Sequence, residues 1–335
     1  MKLVTYRAGA DLRPGLIEGD RIVDIERALR VLDGSVGTLP SVANIEHRYG
    51  STVIDLIKRG RIDRVREVEG AARAGRLPDV VAGQPLYLPI TTTALASPVV
   101  DPPSMRDGYA FRQHVETARR NRGLEMIPEF DQFPVFYFTN HLAVTGPGDV
   151  FVEEQHCERL DYELEAAVVL GASGRTMTVK EADDAIFGLL IMNDWSARAL
   201  QMEEMKLSLG PAKGKDFATS LGPYLVTLDD LAPYTRRTER GRVFDLGMRA
   251  FVNGVHLSTG NLGDMTWTFA EIIARASYGV SLRHGEVIGS GTCGTGCLLE
   301  LNGSKVTDNL WLKPGDEIVL EVDHLGRLEN RIVRR

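Results

Sequence analysis

The sequence predicts an α+β protein that is mainly β, in which a large C-terminal domain follows a smaller α+β domain. Beyond residue 103, short apolar or alternating runs are separated by glycine-rich turns, which is typical of a compact β-roll or β-sandwich. The first third instead carries apolar residues at helical spacing. Between them, the stretch 84–103 contains five prolines and favours extended backbone. We place the boundary there, with domains at 1–100 and 101–335.

The N-terminal domain is predicted to begin with a hairpin and to continue with helices. Within residues 1–35 the pattern indicates a short hairpin and then a helix over 25–32. Helical spacing returns over 43–49 and 53–73, and the second of these is rich in arginine and glutamate along one face. No convergent polar side chains are evident. We therefore interpret this domain as a cap or dimerisation module.

The C-terminal domain begins with a predicted helix. Ser104 or Asp107 is placed to cap a helix that runs to about Arg122. His114 lies within it, and a lone histidine there is usually a partly exposed helical residue. Residues 134–138 then predict a buried strand rich in aromatic side chains, where a tyrosine hydroxyl normally belongs to the core or to an interface.

Three carboxylates lie where predicted strands meet turns. Glu163 and Glu165 are two residues apart on a strand that leads into the apolar run 166–170, so both project from the same face. Asp194 ends a second apolar run, 186–192. Like charges on one face repel unless a cation neutralises them, and oxygen ligands favour Mg²⁺, Mn²⁺ or Ca²⁺ over zinc. The alternative is a solvated polar face.

The glycine-rich loop 210–219 carries two lysines. It lacks the G-K-[ST] pattern of loops that cradle phosphate. Lys215 is therefore either an exposed loop residue or, beside the carboxylates, a cation that holds an anionic substrate.

Residues 289–294 match the G-x-G-x-x-G pattern of dinucleotide-binding sites. That motif requires a helix after it and an acidic residue about twenty positions further on. Residues 298–301 predict a strand instead, so we reject a dinucleotide site. Glu300 in that strand is either a buried carboxylate of the kind that orients a histidine, or an edge residue that faces water.

The remaining elements complete a mainly β domain. A hairpin is predicted over 248–258, turning at Asn253-Gly254, where positive φ suits a type I′ turn. An amphipathic helix is predicted over 265–278, and a last hairpin over 314–333.

Composition excludes several partners and compartments. A net charge of −7 argues against a nucleic-acid-binding surface. No run approaches the roughly 20 apolar residues of a membrane helix, and the first residues alternate like a strand rather than a signal peptide. Three cysteines without a secretory signal predict a reducing, cytoplasmic location. Cys293 and Cys297 lack a second ligand pair, so we expect no zinc site.

Taken together, these motifs resemble those of the fumarylacetoacetate hydrolase family over roughly residues 100–335. Each motif is weak alone, but six in register are a specific signal. They are Asp107-x-Tyr109 with Arg112-Gln113-His114, Asp161-Tyr162-Glu163-Leu164-Glu165, Met192-Asn193-Asp194-Trp195-Ser196-Ala197-Arg198, Gly214-Lys215-x-Phe217, Ser290-Gly291-Thr292 and Leu299-Glu300-Leu301. The resemblance implies the mixed β-sandwich or β-roll of that family.

The resemblance also implies a role for each matched residue. The metal ligands are Asp107, Glu163, Glu165 and Asp194, three of which the strand pattern already indicates. The catalytic residues are His114, which activates water, Glu300, which orients it, and Lys215, which stabilises negative charge. The substrate-binding residues are Tyr109, Arg122, Tyr137, Gln201 and Thr292, with Arg119 and Arg120 as competitors of Arg122.

One position departs from the family pattern. Fumarylacetoacetate hydrolases proper carry a tyrosine four residues after the glutamine, and this chain has Met205 there. The substitution removes one hydrogen bond to substrate, so we expect a different natural substrate.

By resemblance, the protein is a divalent-metal-dependent hydrolase that cleaves the C–C bond of a 1,3-diketo acid, such as fumarylacetoacetate or an acylpyruvate, in aromatic compound catabolism. One Mg²⁺ or Mn²⁺ is implied, with Ca²⁺ as a third option, and so is a homodimer. The alternative is a metal-dependent decarboxylase or hydratase/isomerase that acts on a 2-oxo acid through a metal enolate. The presence of both His114 and Glu300 favours hydrolysis. A third hypothesis is a metal-stabilised binding protein without turnover.

Overall fold

The computed structural model describes residues 1–35 and 52–335, and the helix predicted over 43–49 lies outside them. In the described parts, the α-helices are Ile25–Leu32, Val53–Lys58, Ile62–Arg73, Arg112–Arg120, Val179–Asp184, Arg198–Met205, Leu228–Leu231, Phe269–Ser277 and Leu298–Gly303. Short 3₁₀ turns are Pro128–Asp131, His141–Ala143, Glu154–Arg159, Ala232–Tyr234 and Leu262–Asp264. None of the described helices combines the length and apolar character needed to cross a membrane.

Two large sheets dominate the described structure, and strands outnumber helices as predicted. The larger sheet runs in the order Tyr87–Pro89, Arg21–Asp24, Asp11–Glu18, Lys2–Ala8, Thr219–Thr227, Ile186–Asp194, Leu164–Leu170, Val287–Gly289, Met105–Gly108, Phe136–Thr139, with Leu95–Ala96 and Val144–Thr145 paired at its side. The smaller runs in the order Gly148–Val152, Gly326–Arg334, Glu317–Val322, Gly247–Val252, Val255–Asn261. Two-stranded pairs are Leu160–Asp161 with Ser196–Ala197, Gly174–Arg175 with Ser281–Leu282, Thr235–Thr238 with Gly241–Phe244, and Val80–Val81 with Gln84–Pro85.

The central strands of the larger sheet are apolar on both faces because each face packs on a different layer. Val168 belongs to a core cluster that it shares with Leu320 of the smaller sheet. Its neighbour Val169 points the other way and shares a cluster with Leu29 and Ile54 of the N-terminal helices. The predicted sandwich is therefore present, with helices as a third layer.

The N-terminal hairpin is larger than predicted. Lys2–Ala8, Asp11–Glu18 and Arg21–Asp24 form three antiparallel strands, and the predicted helix Ile25–Leu32 follows. Lys2–Ala8 also pairs with Thr219–Thr227, so these strands extend the larger sheet. The division of the chain near residue 100 stays a prediction.

This N-terminal part contains a buried ionic network. Asp24 is fully buried and receives two hydrogen bonds from Arg13, at 2.8 and 3.0 Å, and one from the Tyr6 hydroxyl at 2.5 Å. Arg13 also forms an ion pair with Glu26 at 2.8 Å, and Arg27 one with Asp24 at 3.1 Å. Asp24 in addition accepts the backbone N–H of Arg27 and so caps the helix. Two arginines thus meet two carboxylates, and Arg13 contacts both of them.

The helix predicted over 104–122 is wrong at its start. Met105–Gly108 is a strand that runs parallel to Val287–Gly289, and the helix is Arg112–Arg120 with Phe111 at its N-cap. Ser104 and Asp107, which we proposed as caps, do not cap this helix. Pairing with a strand far along the chain overrides the local capping signal.

The strand predicted over 298–301 is also wrong, because Leu298–Gly303 is a helix. The carboxylate of Asp161 accepts the backbone N–H of Leu298 at 2.7 Å and of Leu299 at 3.0 Å. These are two of the N–H groups that a helix start leaves without partners, and the side chain that satisfies them comes from a distant part of the chain.

Other predicted elements differ in detail. Residues 53–73 form two helices separated at 59–61, where Gly60 has φ +63°. The aromatic strand Phe136–Thr139 lies at the edge of the larger sheet and is not buried, because Phe138 is 65% exposed. The helix over 265–278 and the hairpins turning at Asn253-Gly254 and within 314–333 are confirmed.

Candidate active site and metal centre

Three strands of the larger sheet carry a carboxylate just beyond the apolar part of one face. In each, the acid lies two positions from the last apolar residue of that face: Glu165 comes before Ala167, Asp194 after Met192 and Asp107 after Met105. Together with Glu163, these acids present four carboxylate oxygens that all lie within 4.8 Å of one another, and all four side chains are buried. We call Asp107, Glu163, Glu165 and Asp194 the acidic cluster. The convergence expected from the sequence is present.

Burial and mutual repulsion act on the acidic cluster. Burial, then the negative charges of Asp107 and Glu163, hold the pKa of Glu165 well above its usual value. Burial and the charge of Asp194 raise the pKa of Asp107 to about 7. Burial raises the pKa of Asp194 as well, although the nearby Lys215 opposes it. The folded chain thus supplies too few positive charges for all four carboxylates to be ionised at once.

Lys215 lies among these carboxylates. Its side chain is buried, and Nζ donates to Glu163 and, at 2.6 Å, to Asp194. Of the two interpretations of this lysine, the structure places it beside the acids rather than on an exposed loop. Burial lowers its pKa, but the charges of Asp194 and Glu163 outweigh burial and raise it, so the ammonium form persists.

Sequence reasoning gave Arg198 and Asp161 no role. Arg198 is buried and donates to Glu163 at 2.7 Å and to Asp161 at 2.9 Å. Although burial opposes ionisation of Glu163, the charges of Lys215 and Arg198 lower its pKa to about 2. An arginine four residues after Asp194, directly at the end of an apolar strand, is the signal that could have identified it.

The donor set of the acidic cluster fits a hard divalent cation. Neither oxygen of Glu165 nor Oδ1 of Asp194 receives a hydrogen bond from residues 1–35 or 52–335, although these atoms are fully buried. Buried oxygens without donors are costly unless a ligand completes them. Four carboxylates suit Mg²⁺, Mn²⁺ or Ca²⁺.

Gly289 explains the glycine-rich motif. A Cβ at this position would lie 2.3 Å from Oδ1 of Asp107 and 2.9 Å from Sδ of Met192. The backbone N–H of Gly291 donates to Asp107 at 3.0 Å. We rejected a dinucleotide site because a strand was predicted after the motif, and the structure has a helix there instead. These two glycines make room for Asp107 and hydrogen-bond it.

His114 and Glu300 form a buried pair beside the acidic cluster. Nδ1 of His114 lies 2.6 Å from Oε2 of Glu300, and the other oxygen of Glu300 accepts the backbone N–H of Thr295 at 2.9 Å. His114 is 7% exposed and Glu300 3% exposed. The alternatives of a partly exposed helical His114 and of a Glu300 that faces water are therefore both wrong. His114 also acts electrostatically to lower the pKa of Glu163, behind the larger effects of burial, Lys215 and Arg198, so the pair lies near the cluster.

Three predicted substrate contacts have partners within the site. Tyr137 donates its hydroxyl to Asp194. Gln201 accepts a hydrogen bond from Arg198 at 3.0 Å. Thr292 is buried, and its hydroxyl donates to the carbonyl of Leu164 at 3.3 Å.

The other two predicted contacts lie on the His114 side. The Tyr109 ring packs edge-on against the imidazole of His114, with centroids 5.7 Å apart. Burial raises the pKa of Tyr109 while Arg122, and less strongly Arg119, opposes that shift. Arg122 is exposed, and its Nε donates to the carbonyl of Ala118 at 3.0 Å. It lies near Tyr109 but outside the buried group.

An open cleft of about 430 Å³ leads from solvent to Lys215. Its wall consists of Phe138, Thr139, Asn140, Glu204, Pro211, Ala212, Lys213, Lys215 and Asp216. Met205, where a tyrosine was expected by resemblance, ends the helix Arg198–Met205 next to this wall and is 45% exposed. Its thioether cannot donate a hydrogen bond into the site.

Residues 104–333 match the model of the fumarylacetoacetate (FAA) hydrolase C-terminal family. This match covers more than half of the chain. The protein belongs to the fumarylacetoacetate hydrolase family. The acidic cluster, Lys215, His114 and Glu300 all lie within the matched part.

Curated relatives within the fumarylacetoacetate hydrolase family carry different activities. Oxaloacetate tautomerase YisK of Bacillus subtilis is 33% identical over 216 residues, which cover 64% of this chain and 66% of that protein. A fumarylacetoacetase of Oryza sativa subsp. japonica is 33% identical over 199 residues, which cover 49% of this chain and 46% of that protein. The chain thus aligns with less than two thirds of either relative.

Solved structures of the fumarylacetoacetate hydrolase family confirm the fold. A fumarylacetoacetate hydrolase from Exiguobacterium antarcticum superposes with a TM-score of 0.70 at 23% identity, covering 100% of both chains. Maleylpyruvate hydrolase from Sphingobium sp. SYK-6, solved in complex with manganese(II) ion and pyruvate, gives a TM-score of 0.66 at 21% identity, covering 100% of this chain and 99% of that one. At these identities the likeness establishes the fold.

Proposed function

We propose that the protein hydrolyses a C–C bond of a 1,3-diketo acid, such as fumarylacetoacetate or an acylpyruvate, with the help of one divalent cation. The observation that carries the proposal is the contact of 2.6 Å between His114 Nδ1 and Glu300 Oε2, buried beside the acidic cluster. Hydrolysis requires a base that removes a proton from water, and an imidazole held by a carboxylate is such a base.

Asp107, Glu163, Glu165 and Asp194 would hold the cation, and their oxygens suit Mg²⁺ or Mn²⁺, with Ca²⁺ as a third option. A bound divalent cation supplies Lewis-acid polarisation of carbonyl oxygens. The complex of a maleylpyruvate hydrolase with manganese and pyruvate supports this assignment.

The remaining chemistry belongs to the side chains. Glu300 accepts a hydrogen bond from the Nδ1–H of His114 and so leaves Nε2 free to take a proton from water. The hydroxide oxygen then bonds to the carbonyl carbon, the C–C bond breaks, and the departing carbon takes up the proton that His114 removed from water. Lys215 remains an ammonium ion and stabilises the negative charge that develops on oxygen.

The side chains at the rim would position the substrate. Tyr109 and Arg122, on the His114 side, would bind a distal carboxylate. Tyr137, Gln201 and Thr292 offer hydroxyl and amide groups near the acidic cluster.

A second candidate is a decarboxylase or hydratase/isomerase that acts on a 2-oxo acid. The relative named oxaloacetate tautomerase, 33% identical over 216 residues, favours it. Decarboxylation and isomerisation would need stabilisation of enolate charge by the cation and Lys215 but no activated water. A metal-stabilised binding protein without turnover is the third hypothesis.

The cellular setting is part of the proposal. All three cysteines, each in the described part of the chain, are free thiols, which supports a reducing cytoplasm. A homodimer and a role in aromatic compound catabolism remain predictions from the family resemblance.

The deciding experiment follows loss of diketo-acid absorbance for fumarylacetoacetate, fumarylpyruvate, maleylpyruvate, acetylpyruvate and oxaloacetate, with Mg²⁺ or Mn²⁺ and again with EDTA. We expect metal-dependent cleavage of a 1,3-diketo acid, and a fall in kcat of about 10²- to 10⁴-fold in His114→Ala. Tautomerisation or decarboxylation of oxaloacetate alone, insensitive to His114→Ala, would establish the second candidate. A metal-dependent melting temperature without turnover would establish the third.

A further inference from the structure

A second group of ligating atoms lies next to the acidic cluster. One ring nitrogen of His114, Sγ of Cys297 and one carboxylate oxygen of Glu300 all lie within 4.8 Å of one another. The three side chains are buried, Cys297 completely. The proposed hydrolysis uses two of these residues and leaves the thiol without a function.

The chemistry of this group differs from that of the acidic cluster. Nitrogen, sulfur and one carboxylate oxygen are the donors of tetrahedral zinc sites, in which three protein ligands and one water surround the ion. A thiol and an imidazole have little affinity for Mg²⁺, whereas four carboxylates prefer it. The two neighbouring groups therefore select different cations.

Local charge favours a cation at the second group as well. The carboxylates of Asp161 and Glu163 act electrostatically on Cys297, and so does the guanidinium of Arg198. With Glu300 there are three carboxylates, and two cations meet them: Arg198 contacts Asp161 and Glu163, and Lys215 contacts Glu163. The sequence argument against zinc considered only Cys293 and Cys297 as a pair. The structure gives Cys297 other partners: His114 comes from the helix Arg112–Arg120, and Glu300 from the first turn of the helix that Cys297 precedes.

We propose that His114, Cys297 and Glu300 form an inhibitory site for Zn²⁺ or a similar thiophilic cation. Binding replaces the thiol proton of Cys297, which leaves to solvent as the S–Zn bond forms, and no electron is transferred. If Nε2 of His114 is the ligand, the lone pair that takes the proton from water is occupied. If Nδ1 is the ligand, its hydrogen bond to Glu300 is lost.

Binding of the cation does not depend on the proposed function, whereas inhibition rests on it, so binding is measured first. Mg²⁺-loaded protein is titrated with Co²⁺, which substitutes for zinc and absorbs in the near ultraviolet when a thiolate binds it. We expect this thiolate-to-cobalt absorption in the wild type and in the matched control Cys293→Ser, because Cys293 is an equally buried thiol outside the ligand group. We expect none in Cys297→Ser.

The result does not depend on whether Cys297→Ser folds. The double variant Cys157→Ser/Cys293→Ser keeps Cys297 as its only cysteine, so absorption in that protein assigns the ligand by subtraction. Glu165→Gln, which alters only the acidic cluster, should retain the absorption. Absence of the absorption in the wild type, or its loss in Cys293→Ser, overturns the site.

Inhibition is then measured as the Zn²⁺ concentration that halves the rate of each Mg²⁺-loaded variant on its own best substrate. Cys297→Ser should need at least about tenfold more Zn²⁺ than the wild type, and Cys293→Ser no more than the wild type. Equal inhibition of all three proteins would mean that Zn²⁺ acts at the acidic cluster and would refute the inhibitory role. If no substrate is turned over, the proposed hydrolase fails while the cobalt result still decides the site.

Discussion

Asp24 and Asp194 are both fully buried aspartates, yet the chain surrounds them in different ways. Around Asp24, Arg13 and Arg27 neutralise the charge and the Tyr6 hydroxyl completes its hydrogen bonds. Around Asp194, three further carboxylates share one lysine and one arginine, and that arginine also serves Asp161. The first network is balanced in charge, with two arginines for the two carboxylates of Asp24 and Glu26, and the second lacks positive charge.

The difference teaches how to separate a structural cluster of buried charges from a functional one. A buried ion pair persists because breaking it leaves a charge uncompensated. A buried group of like charges persists only when something outside the chain supplies the missing charge. Counting the cations that reach each carboxylate is therefore more informative than counting the carboxylates.

The largest expected effect is on the balanced network. Asp24→Ala removes one of the two carboxylates that Arg13 contacts, the hydrogen-bond acceptor of Tyr6 and the cap of the helix Ile25–Leu32, so we expect the free energy of unfolding to fall by about 3–5 kcal/mol. Urea unfolding measures this loss. Affinity for Mg²⁺ in the folded variant should equal that of the wild type, and a parallel loss of metal binding would break the comparison.

Glu165→Gln tests the acidic cluster in the opposite sense. It removes one ligand and one repelling charge. Loss of a residue that only hydrogen-bonds a ligand lowers metal affinity by at most about 100-fold, so loss of a ligand should lower the affinity for Mg²⁺ by more than that. The melting temperature of the metal-free variant should equal or exceed that of the metal-free wild type. Isothermal titration calorimetry and thermal unfolding in EDTA measure the two quantities, and a strongly destabilised metal-free variant contradicts the charge argument.

A matched pair of glycines sharpens the comparison further. A Cβ at Gly15 would lie 2.4 Å from Ile22 in the N-terminal strands, and a Cβ at Gly289 would lie 2.3 Å from Asp107. Both alanine variants should lose about 1–3 kcal/mol of stability through overpacking. Only Gly289→Ala should also weaken Mg²⁺ binding, because it displaces a ligand. Equal affinity for Mg²⁺ in the two variants would show that Asp107 is not a metal ligand.

The smallest expected effect is a pH dependence. The pKa of Asp107, about 7 in the folded protein, exceeds its usual 3.8, so the native state binds more protons between these values. Stability of the metal-free protein should therefore fall as pH rises from about 4 to about 7 and then level off. Mg²⁺ binding displaces that proton and should weaken by about 1.4 kcal/mol per pH unit below 7.

Melting temperatures with Mg²⁺ and with EDTA, measured between about pH 5 and pH 8, check this sign. The gap between the two curves should widen with rising pH. In the control Glu165→Gln, which binds Mg²⁺ weakly, the difference between the two melting temperatures should stay small. If the difference in the wild type narrows with rising pH, the raised pKa assigned to Asp107 is wrong.

The part of the site that the sequence predicts is the part encoded by short-range periodicity. Glu163, Glu165 and Asp194 stand out because each lies close to an apolar run, although Glu163 was predicted on the strand and lies just before it begins at Leu164. Asp107 does not stand out, since its strand is a short one that forms by pairing with Val287–Gly289 and Phe136–Thr139. It was found by resemblance to a family, and its local context indicated a helix cap.

The errors share one physical cause. Residues 298–301 alternate weakly, and the helix they form is stabilised by the carboxylate of Asp161. Lys215 lies in a segment that the sequence allows to be an exposed loop, and Arg198 was given no role, and only the tertiary structure shows both buried. Where partners come from distant parts of the chain, a local pattern carries no information about them.

The parallel pairing of Met105–Gly108 with Val287–Gly289 has a consequence for biosynthesis. A ribosome delivers Asp107 long before the strand that fixes its position, and Glu300 emerges later still. The central strands are hydrophobic on both faces and must wait in a partly assembled state that invites aggregation. We expect nascent chains halted before residue 287 to need a chaperone, and the first native-like compaction to appear only after that segment leaves the exit tunnel.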